Sequence, residues 1–206
     1  MQMHDSVRNV FKGVVSGSIK ISTPEELSQR VADAFKASGL SEHGYASDYE
    51  ALAVPMLRYF ASLREGHTPE EPKALKLTFN NETIFVLPDD VLLRPDGKRT
   101  IRKVRTGHCP KNKEDIEDVE AAALILAARE AFPDATVEVV FLSDQKTEAL
   151  SLTKIKLENR KAKLDNALGD IKLGKFPPQP SIRSCPGCPA FFVCGPVPKG
   201  VLQKKF

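Results

Sequence analysis

The sequence predicts an α/β domain that ends in a cysteine-bearing tail, and three observations predict it. Apolar residues in the first third recur at helical spacing, residues 75–104 alternate between apolar and polar, and a helix, a strand and a second helix follow. With 206 residues, of which 41% are hydrophobic, the chain is long enough for one sizeable core. Nothing in the composition requires a second core.

Helical spacing predicts three helices at the start of the chain, over residues 7–15, 24–37 and 48–64. Gly17 and its flanking serines are typical of a helix end. Thr23 is a capping residue followed by proline and two glutamates, which favours the start of the second helix. Pro55 marks a kink in the third.

The middle of the chain predicts a meander of short antiparallel strands over residues 75–79, 83–87, 91–93 and 100–104. Two asparagines form a turn between the first two strands, and Pro95-Asp96-Gly97 forms another between the last two. A long alanine-rich helix is expected over 114–131, then a strand over 136–142. A basic helix over 153–173 leads into a proline-rich linker.

Composition restricts the classes of function. No stretch approaches the roughly 20 apolar residues of a membrane span, and the N-terminus lacks an apolar signal core, so a soluble cytoplasmic protein is expected. The net charge of +3 does not itself indicate a polyanion partner. Two basic clusters fit either a phosphate-backbone footprint or solvated surface. They consist of Arg94, Lys98, Arg99, Arg102, Lys103 and Arg105, and of Lys154, Lys156, Arg160, Lys161 and Lys163.

Three of the four cysteines, Cys185, Cys188 and Cys194, lie close together in the tail. A Cys-x2-Cys pair can direct two thiolates at one metal, and a third cysteine nearby can be a ligand of the same site. Disulfides are disfavoured in the cytoplasm, so metal binding is the better interpretation. Zinc would need a fourth ligand from Cys109, a histidine or a carboxylate, whereas an iron-sulfur cluster would usually need a fourth cysteine.

The end of the chain, Phe176-Pro177-Pro178 followed by Cys-x2-Cys-x5-Cys, resembles the C-terminus of AddB-type nucleases and related CRISPR-adaptation nucleases. The resemblance implies a [4Fe-4S] cluster in a longer protein, with a fourth cysteine upstream of Met1 or, internally, Cys109. It also implies a PD-(D/E)XK (restriction-endonuclease-like) core with a mixed sheet of four to five strands flanked by helices. Residues 1–176 would form this domain, and residues 177–206 a linker and metal-binding tail packed on it.

RecB-like members of this family spread their active site over four places, and the chain resembles them in that order. His4 matches a histidine on the opening helix, and Asp89 matches the acid of a Gly-x-x-Asp segment, with Asp90 one residue away. Lys103 and Arg105 stand where the family has the acid and the lysine of Asp-x-Lys-Thr-Gly. Glu120 falls where a glutamine is expected on the next helix.

These departures imply a catalytically inactive domain, because Lys103 replaces a metal-binding carboxylate with a cation. The resemblance then implies a positively charged floor of Arg102, Lys103, Arg105 and His108 that contacts DNA phosphates without cleavage. The predicted function is that of a nuclease-like domain of a DNA helicase/exonuclease in repair or recombination. Its partners would be DNA and helicase domains of the same chain or of another subunit.

Other interpretations stay open. The chain is alternatively an active Mg²⁺- or Mn²⁺-dependent exonuclease that uses Asp89, Asp90, Glu82 or Glu120, or a zinc-stabilised protein-interaction domain. His4 can also be an ordinary histidine, the two aspartates turn residues, and Lys103 and Arg105 the outer face of an edge strand.

Overall fold

The structure is a computed structural model that describes residues 2–19, 23–79 and 82–175. The chain divides into two compact units, Met1–Leu164 and Asp165–Phe206. Of the second unit the structure describes residues 165–175, which include the end of a helix. The predicted tail of residues 177–206, with its three cysteines, lies outside the described residues, so its boundary and its packing stay predictions.

Three helices open the first unit and confirm the predicted helical third. They are α1 (Gln2–Val15), α2 (Pro24–Ala37) and α3 (Ala46–Ser62). A capping box begins α2, because the Thr23 hydroxyl accepts a hydrogen bond from the Glu26 amide and the Glu26 carboxylate accepts one from the Thr23 amide. The three helices bury one apolar cluster, which includes Val7, Val10, Phe11, Leu27, Val31, Phe35, Leu57 and Phe60.

In the part of the chain that the structure describes, seven strands follow in two separate sheets. In chain order they are β1 (Thr68–Glu70), β2 (Leu75–Phe79), β3 (Glu82–Val86), β4 (Asp90–Leu93), β5 (Arg99–Arg105), β6 (Thr136–Phe141) and β7 (Lys146–Ala149). Five of them form a sheet in the order β1-β4-β5-β6-β7, in which β5 and β6 are parallel and the other pairs antiparallel. The predicted mixed sheet flanked by helices is therefore present.

Two predicted elements were wrong in detail. The four middle strands do not form one meander, because β2 and β3 pair with each other as a separate hairpin. The predicted helix over 114–131 is two helices, α4 (Lys113–Ile116) and α5 (Val119–Ala131). The break occurs because Asp118 caps α5, its carboxylate accepting a hydrogen bond from the Ala121 amide at 2.8 Å.

Strand β5 separates two cores. Val104 faces the helices α1, α2 and α3, whereas Ile101 faces α5 and the β2–β3 hairpin. The last described helix, α6 (Lys154–Lys172), adds Leu157 to the second core. No helix among the described residues is long and apolar enough to span a membrane.

A buried charge network ties the first core to the sheet. The Asp90 carboxylate is fully buried and lies 3.6 Å from Arg64 Nε and 3.5 Å from Arg102 Nη1. Arg102 also pairs with Glu138 at 2.8 Å and donates to the carbonyl of Leu63. Neither Asp90 oxygen accepts a hydrogen bond of good geometry within the described residues, so the two arginines hold the carboxylate mainly through their charge. Burial raises the pKa of Asp90, and this effect outweighs the lowering of the pKa by the two arginines.

We expect Asp90→Asn to change how stability depends on pH. A raised pKa means that the folded protein binds a proton at Asp90 more tightly than the unfolded chain does. The contribution of Asp90 to stability is then complete below its ordinary pKa of 3.8 and declines as pH rises through the raised pKa. Denaturant unfolding between pH 4 and pH 8 should show the wild type losing stability relative to the variant, by about 1.4 kcal/mol per unit of pKa shift.

Asp134→Asn is the matched control, because Asp134 is exposed. If the wild type instead gains stability relative to Asp90→Asn as pH rises, the arginines and not burial determine the direction of the pKa shift of Asp90.

Candidate functional site

A cavity of about 670 Å³ lies at the carboxyl end of β5. Five parts of the fold line it: α1, the segment before β4, the end of β5 with the residues that follow, the first turn of α5, and the end of β6 with Leu142. Its charged and ionisable lining consists of Arg8, Lys12, Asp89, Lys103, Arg105, His108 and Glu120. Cationic side chains outnumber carboxylates in this lining, so the cavity favours an anionic ligand.

Asp89 is fixed in the cavity by backbone contacts. Its amide donates to the carbonyl of Arg102 at 2.9 Å, and its carboxylate accepts a hydrogen bond from the Val104 amide at 2.8 Å. The side chain thus adds one hydrogen bond to β5 just before the first residue of β4. This contact holds one carboxylate oxygen beside the end of β5.

The Lys103 ammonium lies between two carboxylates. Its Nζ atom is 3.6 Å from Asp89 Oδ2 and 3.3 Å from Glu120 Oε1. Arg105 continues the arrangement, with its guanidinium 3.1 Å from Asp118 and 3.3 Å from Glu120. Both cations emerge on one face of β5 because they are two residues apart.

This arrangement does not fit a divalent metal ion. Asp89 and Glu120 are oxygen ligands of the kind that Mg²⁺ prefers, but the position that they share is already taken by the ammonium of Lys103. A divalent ion there would be repelled by that like charge at a few ångströms. Within the described ranges, no group of three or more histidine, cysteine, aspartate or glutamate side chains is gathered to hold a metal.

The structure distinguishes Asp89 from Asp90, which the sequence could not do. Asp89 lines the cavity, whereas Asp90 is buried on the opposite side of the sheet. Arg102 lies on the same side of the sheet as Asp90. It is only 5% exposed and pairs with Glu138. Arg102 is therefore not part of the cavity floor, and of the predicted floor the cavity contains Lys103, Arg105 and His108.

Most cations of the two sequence clusters form ion pairs or hydrogen bonds with other residues of the chain. In the second cluster, Lys156 pairs with Glu117 at 2.7 Å and Arg160 donates to the Glu117 carbonyl, so both dock α6 onto α4. In the first cluster, Arg94 pairs with Asp96 and Arg99 with Glu70. These ion pairs explain much of the clustering without a nucleic-acid ligand.

His108 and Cys109 follow β5 and share one partner. The His108 ring is 82% exposed, with Nδ1 2.6 Å from Asp144, and the Cys109 amide donates to the same carboxylate at 2.6 Å. These contacts, the His108 ring first, hold the pKa of Asp144 below its ordinary value. Cys109 itself packs against the apolar cluster of Ile116, Val139 and Phe141. Its predicted role as a fourth metal ligand stays a prediction.

The sequence interpretation missed two cations of the cavity, Arg8 and Lys12. Both are exposed on α1, and neither forms an ion pair within the described part of the chain. His4 precedes Arg8 by one helical turn, although its side chain lies outside the described part. The spacing 4, 8, 12 is that of one helix face, so it could have identified Arg8 and Lys12 once His4 was chosen.

The cavity thus gathers Asp89, the end of β5 and Glu120, three of the four places singled out in the sequence, together with Arg8 and Lys12 of α1. No protein-family model matches the chain, and no curated protein matches it significantly. What the cavity can bind is therefore inferred from the contacts described above.

We expect Lys103→Asp to create a divalent-metal site. The substitution removes the ammonium and adds a third carboxylate beside Asp89 and Glu120, so Mn²⁺ should bind at least about tenfold more tightly than in the wild type. Titration calorimetry with Mn²⁺ measures this, after thermal melting has verified that the variant is folded.

Lys103→Gln is the control, because it removes the cation without adding a ligand. Equal Mn²⁺ affinity in the wild type and the Lys103→Asp protein would show that the two carboxylates are not arranged around a metal position.

Proposed function

We propose that this chain is a RecB-type nuclease-fold domain that binds DNA without cleaving it, within a helicase/exonuclease of DNA repair or recombination. The position of Lys103 carries the proposal. In the nucleases that the sequence resembles, two acidic residues hold a metal and a lysine stands beside them. Here an ammonium lies between the two candidate carboxylates, so the site contains its own cation.

The arrangement of the sheet supports a PD-(D/E)XK core. Asp89 precedes β4, and the Lys103–Arg105 segment ends β5, the strand to which β4 is paired. The following helix α5 brings Glu120 to the same point. Asp89, Lys103, Arg105 and Glu120, which are spread over about thirty residues of sequence, thus meet at one cavity, as expected for the family's catalytic motif.

The charge of the cavity supports binding of a phosphate backbone. Lys103 and Arg105 are partly neutralised by carboxylates, but Arg8 and Lys12 are exposed and without an ion-pair partner among the described residues. Basic side chains of this kind bind phosphates and release condensed counterions from DNA. Phosphate contacts position the DNA and do not read its sequence.

The proposal includes an iron-sulfur cluster only because the sequence contains three closely spaced cysteines. Cys185, Cys188 and Cys194 would hold it by their thiolates, and zinc is the alternative metal. The cluster would stabilise the tail, and no step of DNA binding at the cavity depends on it.

We expect Arg8→Ala/Lys12→Ala to weaken DNA binding by about tenfold and to reduce its dependence on salt. Each phosphate contact that is lost lowers the slope of log affinity against log salt by about one. Fluorescence anisotropy with labelled DNA at several salt concentrations measures both effects. The loss should be similar for different sequences, because phosphates carry no sequence information.

The matched control is Arg30→Ala/Lys36→Ala, which removes two exposed cations from α2 instead of α1. Equal losses in the two double variants would mean that net charge and not the cavity governs binding. An absence of DNA binding by the wild type would leave the zinc-stabilised interaction domain as the better function.

We expect no cleavage of single- or double-stranded DNA with Mg²⁺ or Mn²⁺, because the metal position is occupied by Lys103. The assay should use anaerobically purified protein whose iron and zinc contents are measured. Metal-dependent cleavage that disappears in Asp89→Ala would establish the active exonuclease instead. A preparation with zinc and no iron would refute the iron-sulfur cluster.

A further inference from the structure

The β2–β3 hairpin exposes an apolar and cationic face. Its inner side chains, Leu75, Leu77 and Phe79, are buried, and the first two belong to the core around α5. On the outer side Phe85 is 69% exposed, and Lys76 lies directly opposite it in the strand register. The Phe85 ring is therefore largely in water beside a lysine, where a ligand can reach it.

This outer face continues to the cavity. Leu87, two residues after Phe85, is 58% exposed and lines the cavity beside Lys12 and Asp89. Exposure alternates from Thr83 to Leu87, so Phe85 and Leu87 emerge on the same side of the chain, about 7 Å apart along it. We call Lys76, Phe85 and Leu87 the hairpin face. It adjoins the wall to which α1 contributes Arg8 and Lys12.

We infer that the hairpin face stacks the unpaired bases of single-stranded DNA, while Arg8 and Lys12 hold the phosphates of the same strand. This inference rests on the proposed DNA-binding function and specifies the form of DNA. Binding sites for single strands combine a cationic groove with aromatic side chains on which bases stack. In a duplex the faces of the bases are covered by their neighbours, so Phe85 could not stack on them.

Charge favours a nucleic acid over a second copy of the chain on this face. Two copies that met by this surface would bring Lys76, Arg8 and Lys12 close to their own equivalents, which is repulsive. Two exposed apolar side chains also supply far less than the roughly 800 Å² per partner of a stable protein interface. A polyanion with apolar bases satisfies both components of the surface.

The test compares the affinity of Phe85→Ala and wild type for a labelled single strand of about 20 nucleotides and for the corresponding duplex. Loss of one stacked base should weaken single-strand binding about fivefold or more and leave duplex binding within about twofold. Phe85→Tyr should restore the affinity, because it restores the ring. The control is Ile155→Ala on α6, which removes an equally exposed apolar side chain elsewhere.

An oligonucleotide of abasic sites separates stacking from charge. It should bind the wild type as weakly as the normal single strand binds Phe85→Ala, and Phe85→Ala should not weaken it further. If the abasic strand binds as tightly as the normal one, or if Phe85→Ala has no effect, the stacking role is overturned while the proposed function stands. If no DNA binds, or if Arg8→Ala/Lys12→Ala is without effect, both proposals fail.

Two further outcomes would replace the inferred ligand. Tighter binding of the corresponding RNA strand would show that the face is built for RNA. A wild-type dimer in sedimentation that Phe85→Ala converts to a monomer would show that the face joins two copies of the chain.

Discussion

The alternation of side chains along β5 is the constraint on which both the fold and the cavity depend. This strand is hydrogen-bonded on both sides, to β4 and to β6. Ile101 is buried in one core and Val104 in the other, so a shift in register by one residue would turn both toward the wrong side. The same alternation directs Lys103 toward the cavity and Arg102 into the interior. Adjacent basic residues therefore have unrelated roles.

The interior role of Arg102 explains how the sheet tolerates the buried Asp90. An isolated carboxylate in a core is costly, and removal of one partner from a buried ion pair is usually destabilising. Arg64 reaches Asp90 from the turn after α3 and also donates to the carbonyl of Val14 at the end of α1. The network thus fixes α1 relative to β4. Since α1 carries Arg8, the buried contacts of Arg64 also help to fix the position of this exposed cation.

Much of the fold follows from local patterns in the sequence, and what was missed depends on contacts between distant segments. Helical spacing and the Thr23 cap located the first helices, and alternation located the inner strands. Strands β1 and β7 lie at the edges of the sheet and contain polar residues without an apolar alternation, so they left no burial signal. The separation of the β2–β3 hairpin from β4 depends on its packing against α5, which is a long-range contact.

The sequence motif indicated several residues that line one cavity, but it did not indicate their ion pairs. The resemblance to the family's Asp-x-Lys-Thr-Gly segment indicated Lys103 and Arg105, whereas the burial of Arg102 depends on Glu138, a residue of the next strand. The docking of α6 through Glu117 depends in the same way on a residue about forty positions away. Counts of basic residues in a sequence segment do not reveal which of them remain available to a ligand.

The Lys103 ammonium has a consequence for how the cavity responds to its surroundings. A bound magnesium ion exchanges with solution, so the charge that it contributes varies with the free concentration of the ion and vanishes with a chelator. An ammonium tethered to β5 cannot dissociate. The electrostatic potential at Asp89 and Glu120 is therefore constant across changes in cellular magnesium, and EDTA leaves it unaltered. A cavity of this kind keeps one positive charge between its carboxylates at all times, whereas a metalloenzyme gains the two charges of its ion only when it is loaded.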